Sequence, residues 1–378
     1  MVLVKRLEAE IKLLAQENGA SLVGISSRES LADAPPSVDP DYLLPSTRSI
    51  ISIAIPLDRK IIRDFLSKRQ WLAGGFDRKS IYQKLYTITD RLTAFLGEKG
   101  FETKGVEANS MYRPEPGGIA AINRVEMVPD FSHRYAAVAS GLGWLGWSGN
   151  VITPQFGSAV YLASVLTSAE LQADPLLEEN PCDQCKLCTT VCPVEMISKK
   201  ETVSVTIAGR QYSHGKKGNN ARCIIGCGGY HGLGLNKKWS TWSPFRVDYP
   251  LPDNEVELID LSRRVRAADP DKQGKRAFLT QRDKCFDPSE IYIDTCGNCQ
   301  LICWEQREDR EENRRLLLNS GVLALTPGGK RVVMPAEQVT ELDTDRVVRV
   351  AVPRREVATA SSWLTQALDK STRPTSNT

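Results

Sequence analysis

The sequence contains no cysteine before Cys182, no hydrophobic run long enough to cross a membrane, and no marked excess of either charge. A membrane-spanning helix needs about 20 apolar residues, so the shorter runs exclude one. The 49 basic and 46 acidic side chains leave a net charge of +3, which argues against a surface that coats nucleic acid. Twin arginines are absent from the amphipathic N-terminal pattern, so we expect a cytoplasmic protein. No repeat of solenoid period is visible.

The ten cysteines are confined to the stretch between Cys182 and Cys303. In a reducing compartment, such crowding favours metal ligation over disulfide bonds. The sequence therefore predicts a metal-binding region that follows a domain without cysteine.

Residues 1–170 alternate helix and strand patterns. Apolar runs at 21–27 and 49–57 predict buried strands, and a periodic apolar face predicts a helix over 80–99 that ends at Gly100. Further patterns predict a strand from 101, a helix over 132–140, and two strands joined by a turn over 149–168. This alternation predicts an α/β layered domain.

Residues 171–310 are rich in loops, which indicates that something other than a hydrophobic core orders them. Residues 311–378 form a C-terminal extension, in which we expect a short helix over Arg314–Asn319, strand-like pieces at 330–334 and 345–352, and a helix near 361–369. The last eight or so residues are expected to be disordered.

The first cysteine motif is Cys182-x2-Cys185-x2-Cys188-x3-Cys192, followed by proline. This spacing is typical of bacterial ferredoxins, in which three cysteines bind one 4Fe-4S cluster and the fourth reaches the other cluster. A zinc site is the alternative, but zinc sites favour two separated cysteine pairs without a following proline. Clusters that merely staple loops together are another alternative.

The second motif is Cys296-x2-Cys299-x3-Cys303. By the same crossing, one cluster is predicted to have the ligands Cys182, Cys185, Cys188 and Cys303. The other has the ligands Cys192, Cys296 and Cys299 and lacks a fourth. Cys223 and Cys227 are the candidates for that ligand, and Cys285 is more remote. Trp304 stands where ferredoxins usually have proline.

The stretch GLGWLGWSGNVITPQFGSAVYLASVLTS, residues 141–168, precedes both cysteine motifs. Together they resemble the superfamily of cobalamin-dependent iron-sulfur reductases that contains the reductive dehalogenases and the epoxyqueuosine reductases. The resemblance covers roughly residues 100–305. It implies a nitroreductase-like α/β sandwich that holds base-off cobalamin, with an inserted or following ferredoxin-like domain that carries two 4Fe-4S clusters. It also selects Cys223 over Cys227, because that family has a ligand after Arg at this point.

Glycines and small side chains in this stretch would let the backbone approach a flat macrocycle, although they can also be plain turns. The candidate cofactor-binding residues are Gly141, Leu142, Gly143, Trp144, Ser148, Gly149, Ile152 and Gly157. The corresponding domains are a cobalamin-binding core over 1–170 and a two-cluster domain over 171–310, with a substrate-pocket insert at 237–246.

Reduced cobalamin needs a proton donor nearby. Tyr112 is the first candidate, because the resemblance to dehalogenases implies a tyrosine donor. Asp130 and His133 are the next candidates, since they lie at the start of a helix beside the cofactor segment. Asp130 or Ser132 could instead merely cap that helix.

The predicted substrate depends on where this sequence differs from the reductive dehalogenases and from the epoxyqueuosine reductases. The epoxyqueuosine reductases carry a helical-repeat extension that residues 311–378 lack, and their proton-donating Asp, counted without gaps, falls on Met127. We therefore expect a reductase that cleaves a small electrophilic, halogenated substrate, with electrons from an external ferredoxin or flavodoxin. The alternatives are an enzyme that modifies a tRNA nucleoside, and an electron-transfer protein or corrinoid activator without a substrate of its own.

Overall fold

The fold is described from a computed structural model of the chain. The structure describes residues 2–70, 72–106, 113, 128–218, 220–227, 233–234, 238–239, 246–247, 251–268, 281–287, 297–325, 331–335, 338 and 349–350.

Helices and strands alternate along these residues, as the α/β prediction requires. The helices are α1 Val2–Glu17, α2 Arg59–Leu66, α3 Ala73–Glu98, α4 His133–Ala139, α5 Leu187–Thr190, α6 Asn220–Cys227, α7 Glu255–Ala268, α8 Gln281–Phe286, α9 Asn298–Leu301 and α10 Arg307–Asn319. The strands are β1 Leu22–Ser27, β2 Ser49–Pro56, β3 Thr103–Val106, β4 Trp144–Leu145, β5 Val151–Ile152, β6 Val160–Thr167, β7 Ile197–Ile207, β8 Arg210–Lys217, β9 Leu233–Gly234, β10 Lys238–Trp239, β11 Arg246–Val247, β12 Val322–Leu325, β13 Arg331–Met334 and β14 Arg349–Val350.

A four-stranded antiparallel sheet in the order β1-β2-β6-β3 forms the centre of the fold. Both of its faces are covered, which explains why β2 is apolar almost throughout instead of alternating. Ile51 and Ile53 point into a core shared with α1 and α3, and Ile50 and Ala54 point into a second core shared with α4. Helices therefore sandwich the sheet, as the layered prediction requires.

The segment after the sheet is less irregular than its composition suggests. Strands β7 and β8 form a long antiparallel hairpin that turns at Ala208 and Gly209, both with positive φ. Its tip contacts the segment that follows β1, because the amide of Gly209 donates a hydrogen bond to Oδ2 of Asp33 at 2.7 Å. The prediction of a loop-rich segment was wrong here, because alternating residues in 202–207 belong to strand β7. Its partner β8 packs on Trp144 through Tyr212.

The C-terminal extension begins with α10, which starts seven residues before the predicted Arg314. Leu317 on this helix joins the hydrophobic core that α1 and α3 form with the central sheet. Strand β13 matches the predicted piece at 330–334, and it pairs with β12, which the sequence patterns missed. The predicted helix near 361–369 lies outside the described residues. Among the described helices, none is long and apolar enough to cross a membrane.

Candidate functional site

The first cysteine motif folds into a tight loop over residues 182–188. Gln184 and Lys186 adopt left-handed backbone angles, with φ of 55° and 57°. Such angles are costly for residues with a side chain and persist only where surrounding contacts impose them. In one such contact, the side chain of Asp183 accepts a hydrogen bond from the amide of Cys185 at 3.1 Å. The loop thus curls its cysteines toward one side.

The second motif packs directly against the first. Helix α9 starts after Gly297, whose φ of 100° suits glycine. The buried side chain of Asn298 then donates to the carbonyl of Val191 at 3.1 Å. This contact joins the two motifs across more than a hundred residues of chain and brings Cys303 to the first loop.

One small cavity, which is partly open to solvent, is lined by Cys182, Cys185, Cys188 and Cys303. These are the four residues that the crossed ferredoxin spacing assigns to one cluster. The same cavity is lined by Trp147, Ser148 and Ile152 of the candidate cofactor segment, and by Arg310 of α10. The structure therefore brings the four thiols and the cofactor segment to a common wall.

The thiols of this cavity are held in an environment that disfavours free thiolates. Burial raises the pKa of Cys188, and the neighbouring Cys299 and Cys303 raise it further. Burial likewise raises the pKa of Cys303 to about 11, against a lowering hydrogen bond from Ser158. A bound metal removes such protons and supplies the compensating positive charge. The site is thus suited to a group that carries its own positive charge.

The candidate ligands of the second cluster are only partly described. Cys192 and, at its margin, Cys223 and Cys299 belong to one apolar cluster with Trp147. The amide of Met196 donates to Sγ of Cys192 at 3.2 Å. Cys296 and the side chain of Cys227 lie outside the described residues. In the described part of the chain, no three His, Cys, Asp or Glu side chains converge closely enough to hold a single metal ion.

The cofactor segment contacts both groups of cysteines. The amide of Trp147 donates to Sγ of Cys182 at 3.4 Å, and Nδ2 of Asn150 lies 3.6 Å from Sγ of Cys299. Hydrogen bonds to sulfur are among the features that set the potential of a cluster. Trp147 and Asn150, which flank the predicted cobalamin-binding positions Ser148 and Gly149, therefore each contact a thiol of one of the two groups.

The glycines of the segment approach protein backbone. Gly141 has a φ of 72°, and an added Cβ would collide with the carbonyl oxygen of Pro175. Gly143 lies against the backbone of Ile152, and Gly157, with a φ of 61°, lies against Cys303. These positions are close-packed turns, which is the plainer of the two predicted roles. Leu142 is buried in the core beside α4, and Trp144 stacks edge-on against the hairpin residue Tyr212.

A cationic group beside Gly149 was not found from the sequence. Nη1 of Arg134 donates to the carbonyl of Gly149 at 3.0 Å, and a Cβ on this glycine would meet Lys217 and His214. Burial, with the positive charge of Arg134, lowers the pKa of Lys217 to about 8. The only sequence signal was the polar alternation of strand β8, which does not reveal the pairing that places these side chains here.

The candidate proton donors differ in what the structure shows. His133 begins α4, and its Nδ1 lies 2.9 Å from Oγ of Ser164 on β6. Asp130 is half-buried just before this helix. Its backbone carbonyl accepts a hydrogen bond from the side chain of Arg113 at 3.2 Å. Ser132 occupies the N-cap position without a side-chain capping bond. Tyr112 and Met127 lie outside the described residues.

Two solved structures resemble the fold over part of their length. Epoxyqueuosine reductase with an epoxyqueuosine-modified tRNA-Tyr stem loop is 18% identical, with a TM-score of 0.40 over 83% of this chain and 81% of that one. A catabolic reductive dehalogenase in complex with 3-bromo-4-hydroxybenzoic acid is 18% identical, with a TM-score of 0.43 over 68% and 33%. Neither superposition is close enough to establish a common fold.

Sequence comparison gives a more direct relationship. No model of a known protein family matches the chain. A stretch of 159 residues is 32% identical to the epoxyqueuosine reductase of Bacillus cereus, which covers 41% of this chain and 37% of that protein. A stretch of 179 residues is 32% identical to that of Staphylococcus aureus, over 46% and 42%. The chain thus matches about two fifths of the length of these curated relatives, and the resemblance that the motifs indicated, to the superfamily that contains the epoxyqueuosine reductases, is confirmed.

Proposed function

We propose that this chain is a cobalamin-dependent iron-sulfur reductase that receives electrons from an external donor and reduces an electrophilic substrate. The observation that carries the proposal is the cavity in which Cys182, Cys185, Cys188 and Cys303 meet the segment Trp147–Ile152. A redox centre and a second cofactor exchange electrons efficiently only when they are close. A shared wall between four thiols and the candidate cofactor segment is the arrangement that such exchange requires.

The four thiols suit a 4Fe-4S cluster better than a single ion. The Cys-x2-Cys-x2-Cys loop with a remote fourth cysteine is the ligand pattern of such clusters, and all four of these cysteines line one cavity. Amide and guanidinium groups, from Trp147 and Arg310, already point at two of the sulfurs. These donors would stabilise the negative charge of a bound cluster.

The second cluster is proposed to have the ligands Cys192, Cys223, Cys296 and Cys299. Three of these lie in or beside one apolar cluster of side chains that also includes Cys182 and Cys188, so the two proposed sets of ligands are neighbours. Cys223 is supported by its place on α6, where Ile225 is fully buried in that cluster. The proposal includes the division into a nitroreductase-like core over 1–170, a ferredoxin-like domain over 171–310 and an extension over 311–378.

Base-off cobalamin is proposed to lie against residues 141–157. When bound, it would supply the low-potential chemistry that cleaves the substrate, while the protein binds, orients and protonates. Asp130 and His133 are the described candidates for the proton, because both lie at the start of α4, whose C-terminal end leads into this segment. Tyr112 stays a candidate on the ground of the resemblance alone.

The sequence relatives favour the alternative substrate over the predicted halogenated one. The curated relatives are epoxyqueuosine reductases, so we propose that the substrate carries an epoxide of this kind, presented by a tRNA. Reduction of an epoxide to an alkene takes up two electrons and two protons and releases water. One acidic side chain at the site, together with solvent, meets that demand.

The test begins with anaerobic expression in the presence of cobalamin, followed by iron and cobalt analysis and EPR of the full chain. We expect about eight iron atoms and one cobalt per chain. The loaded protein is then reduced with dithionite and methyl viologen and offered either epoxyqueuosine-containing tRNA or a halogenated phenol. Conversion of the tRNA alone supports the proposal, and dehalogenation alone would restore the predicted small-molecule reductase.

Metal content separates the proposal from an electron-transfer protein. Eight irons without cobalt, with rapid electron exchange to a partner and no turnover of either substrate, would contradict the reductase. No iron after anaerobic preparation would contradict the cluster assignment itself.

A further inference from the structure

Arg310 occupies an unusual place for a guanidinium group. Its side chain is only 6% exposed, and it lines the cavity of the four cysteines. A buried charge of this kind requires a partner, because desolvation is costly. Asp183, on the cysteine loop itself, provides one through two hydrogen bonds of 2.9 and 3.1 Å.

The ion pair is directed unevenly toward the cavity. Nη1 of Arg310 lies 3.8 Å from Sγ of Cys185, so the guanidinium is shared between the carboxylate and the sulfur. The carboxylate of Asp183 is more exposed, at 37%. The two charges therefore act on Cys185 in opposite directions, since the guanidinium favours negative charge at the sulfur and the carboxylate opposes it.

A structural role alone does not account for this arrangement. The ion pair does hold α10 to the cysteine loop, and Nε of Arg310 also donates to the carbonyl of Gln306 at 3.3 Å. A helix could be held by a more exposed ion pair, as Arg63 of α2 and Asp309 of the same helix show. A guanidinium buried against a thiol changes the free energy of that sulfur mainly when negative charge develops on it.

We propose that Arg310 and Asp183 set the reduction potential of the cluster held by Cys182, Cys185, Cys188 and Cys303, Arg310 by raising it and Asp183 by lowering it. This inference rests on the proposed function, because it requires a cluster in the cavity. Arg310 is a positioning and tuning residue, since it contacts a ligand sulfur and no substrate.

The physical basis is the charge that arrives with the electron. One electron from an external reductant such as reduced methyl viologen adds one negative charge to the cluster and its four thiolates, and the viologen is oxidised. No proton or ligand has to move. A guanidinium beside Cys185 stabilises the reduced state more than the oxidised one, and a hydrogen bond to the sulfur acts in the same direction.

The test is an EPR-monitored redox titration of the full chain, reconstituted with iron and sulfide. The signal that Cys303→Ser removes identifies the cluster. In Arg310→Met we expect the reduced-to-oxidised ratio at a fixed potential to fall about tenfold, which equals about 59 mV for one electron. In Asp183→Asn, which keeps a hydrogen-bonding partner for the guanidinium, we expect the ratio to rise.

Arg315→Met is the matched control, because Arg315 is an exposed arginine on the same helix, paired with Glu312 outside the cavity. It should leave the potential unchanged. Wild-type iron content with unmoved potentials in both test variants would overturn the inference, as would shifts in the same direction. If Arg310→Met loses iron, the Asp183→Asn titration decides alone. A wild-type chain without iron would instead contradict the proposed function.

Discussion

The backbone amide of Trp147 donates a hydrogen bond to Sγ of Cys182 across 3.4 Å. Its indole Nε1 donates at 2.9 Å to the carbonyl of Ser198, at the base of the β7–β8 hairpin. One residue thus joins the candidate cofactor segment, the cysteine loop and the hairpin. Because a backbone donor cannot be removed by changing a side chain, the geometry at Cys182 depends on the turns around Trp147 rather than on its identity.

The ligand assignment predicts a selective loss of iron. Cys303→Ser should reduce the iron content from about eight to about four atoms per chain, since one of two clusters loses a ligand. Cys285→Ser is the control, because Cys285 is also buried but packs in the hydrophobic core beside α3, away from the four-cysteine cavity. Iron analysis and EPR of both variants give the result. Equal losses in the two variants would show that iron depends on folding and not on Cys303.

Two glycines with similar backbone angles allow a sharp test of the turn beside Cys303. Gly157 has a φ of 61°, and an added Cβ would collide with the backbone of Cys303 and Trp304. Gly209 has a φ of 73°, and nothing lies within 4 Å of its Cβ position. Gly209→Ala should therefore cost only the backbone strain, about 1 kcal/mol. Gly157→Ala should cost several times as much, since the backbone it meets cannot move aside.

The measurement for this pair is chemical denaturation, followed by iron analysis. Gly157→Ala should also bind less iron, because the collision displaces Cys303 from the other thiols. A Gly157→Ala variant with the stability and iron content of Gly209→Ala would show that the turn is not a support of the cavity.

The sequence predicted the elements whose signals are local. The apolar run at 49–57 became β2, and the periodic face over 80–99 lies within α3, which the structure extends back to Ala73. The four cysteines that the spacing assigns to one cluster line one cavity, although the cluster itself stays a prediction. Trp304 stands where ferredoxins usually have proline. Its side chain is buried in the core, so packing explains why a tryptophan lies there.

Features that depend on distant contacts could not be predicted. The residues from 307 to 313 are mostly charged and show no apolar face, so the helix was predicted only from Arg314. Its first turns are held in place by the ion pair of Arg310 with Asp183, which lies 127 positions away. The pairing of β7 with β8 likewise places Lys217 beside Gly149, and strand periodicity alone does not reveal that proximity.

The two described proton-donor candidates predict separate effects on turnover. Removal of a general acid typically costs about 10² to 10⁴ in rate. His133→Gln and Asp130→Asn should both keep full iron and cobalt, since neither residue lies on the cysteine motifs. In single-turnover reduction of the substrate, the rate should fall by this factor only in the variant that removes the proton donor. Tyr135→Phe, on the same helix, is the control.

A loss in both variants that disappears at lower pH would indicate that solvent can supply the proton. Full rates in both would contradict the proposal that the start of α4 delivers it, and would leave Tyr112 as the remaining candidate.

The buried Lys68 should make the stability of the protein depend on pH, whether or not a cofactor is bound. Its side chain is 2% exposed, and Nζ donates to the carbonyl of Leu317 at 2.8 Å and to Oγ of Ser320 at 2.7 Å. Burial lowers the pKa of this amine to about 7 from its ordinary 10.5. Between these two values the unfolded chain binds a proton that the folded chain does not. The free energy of unfolding should therefore rise with pH from about 7 toward 10.

The slope from one such group approaches about 1.4 kcal/mol per pH unit, and partial relaxation of the site reduces it to roughly 1. Urea denaturation of the full chain at pH 7, 8 and 9 measures it. Lys68→Met should reduce the slope and leave the part above about pH 8 that Lys217 contributes. Lys60→Met, at a side chain that is 86% exposed on α2, the helix that precedes Lys68, should retain the whole slope. If the wild-type slope persists in Lys68→Met, another group is responsible. Because Lys68 joins the ends of α2 and α10, a confirmed slope would also show that the helix carrying Arg310 is held more firmly as the pH rises.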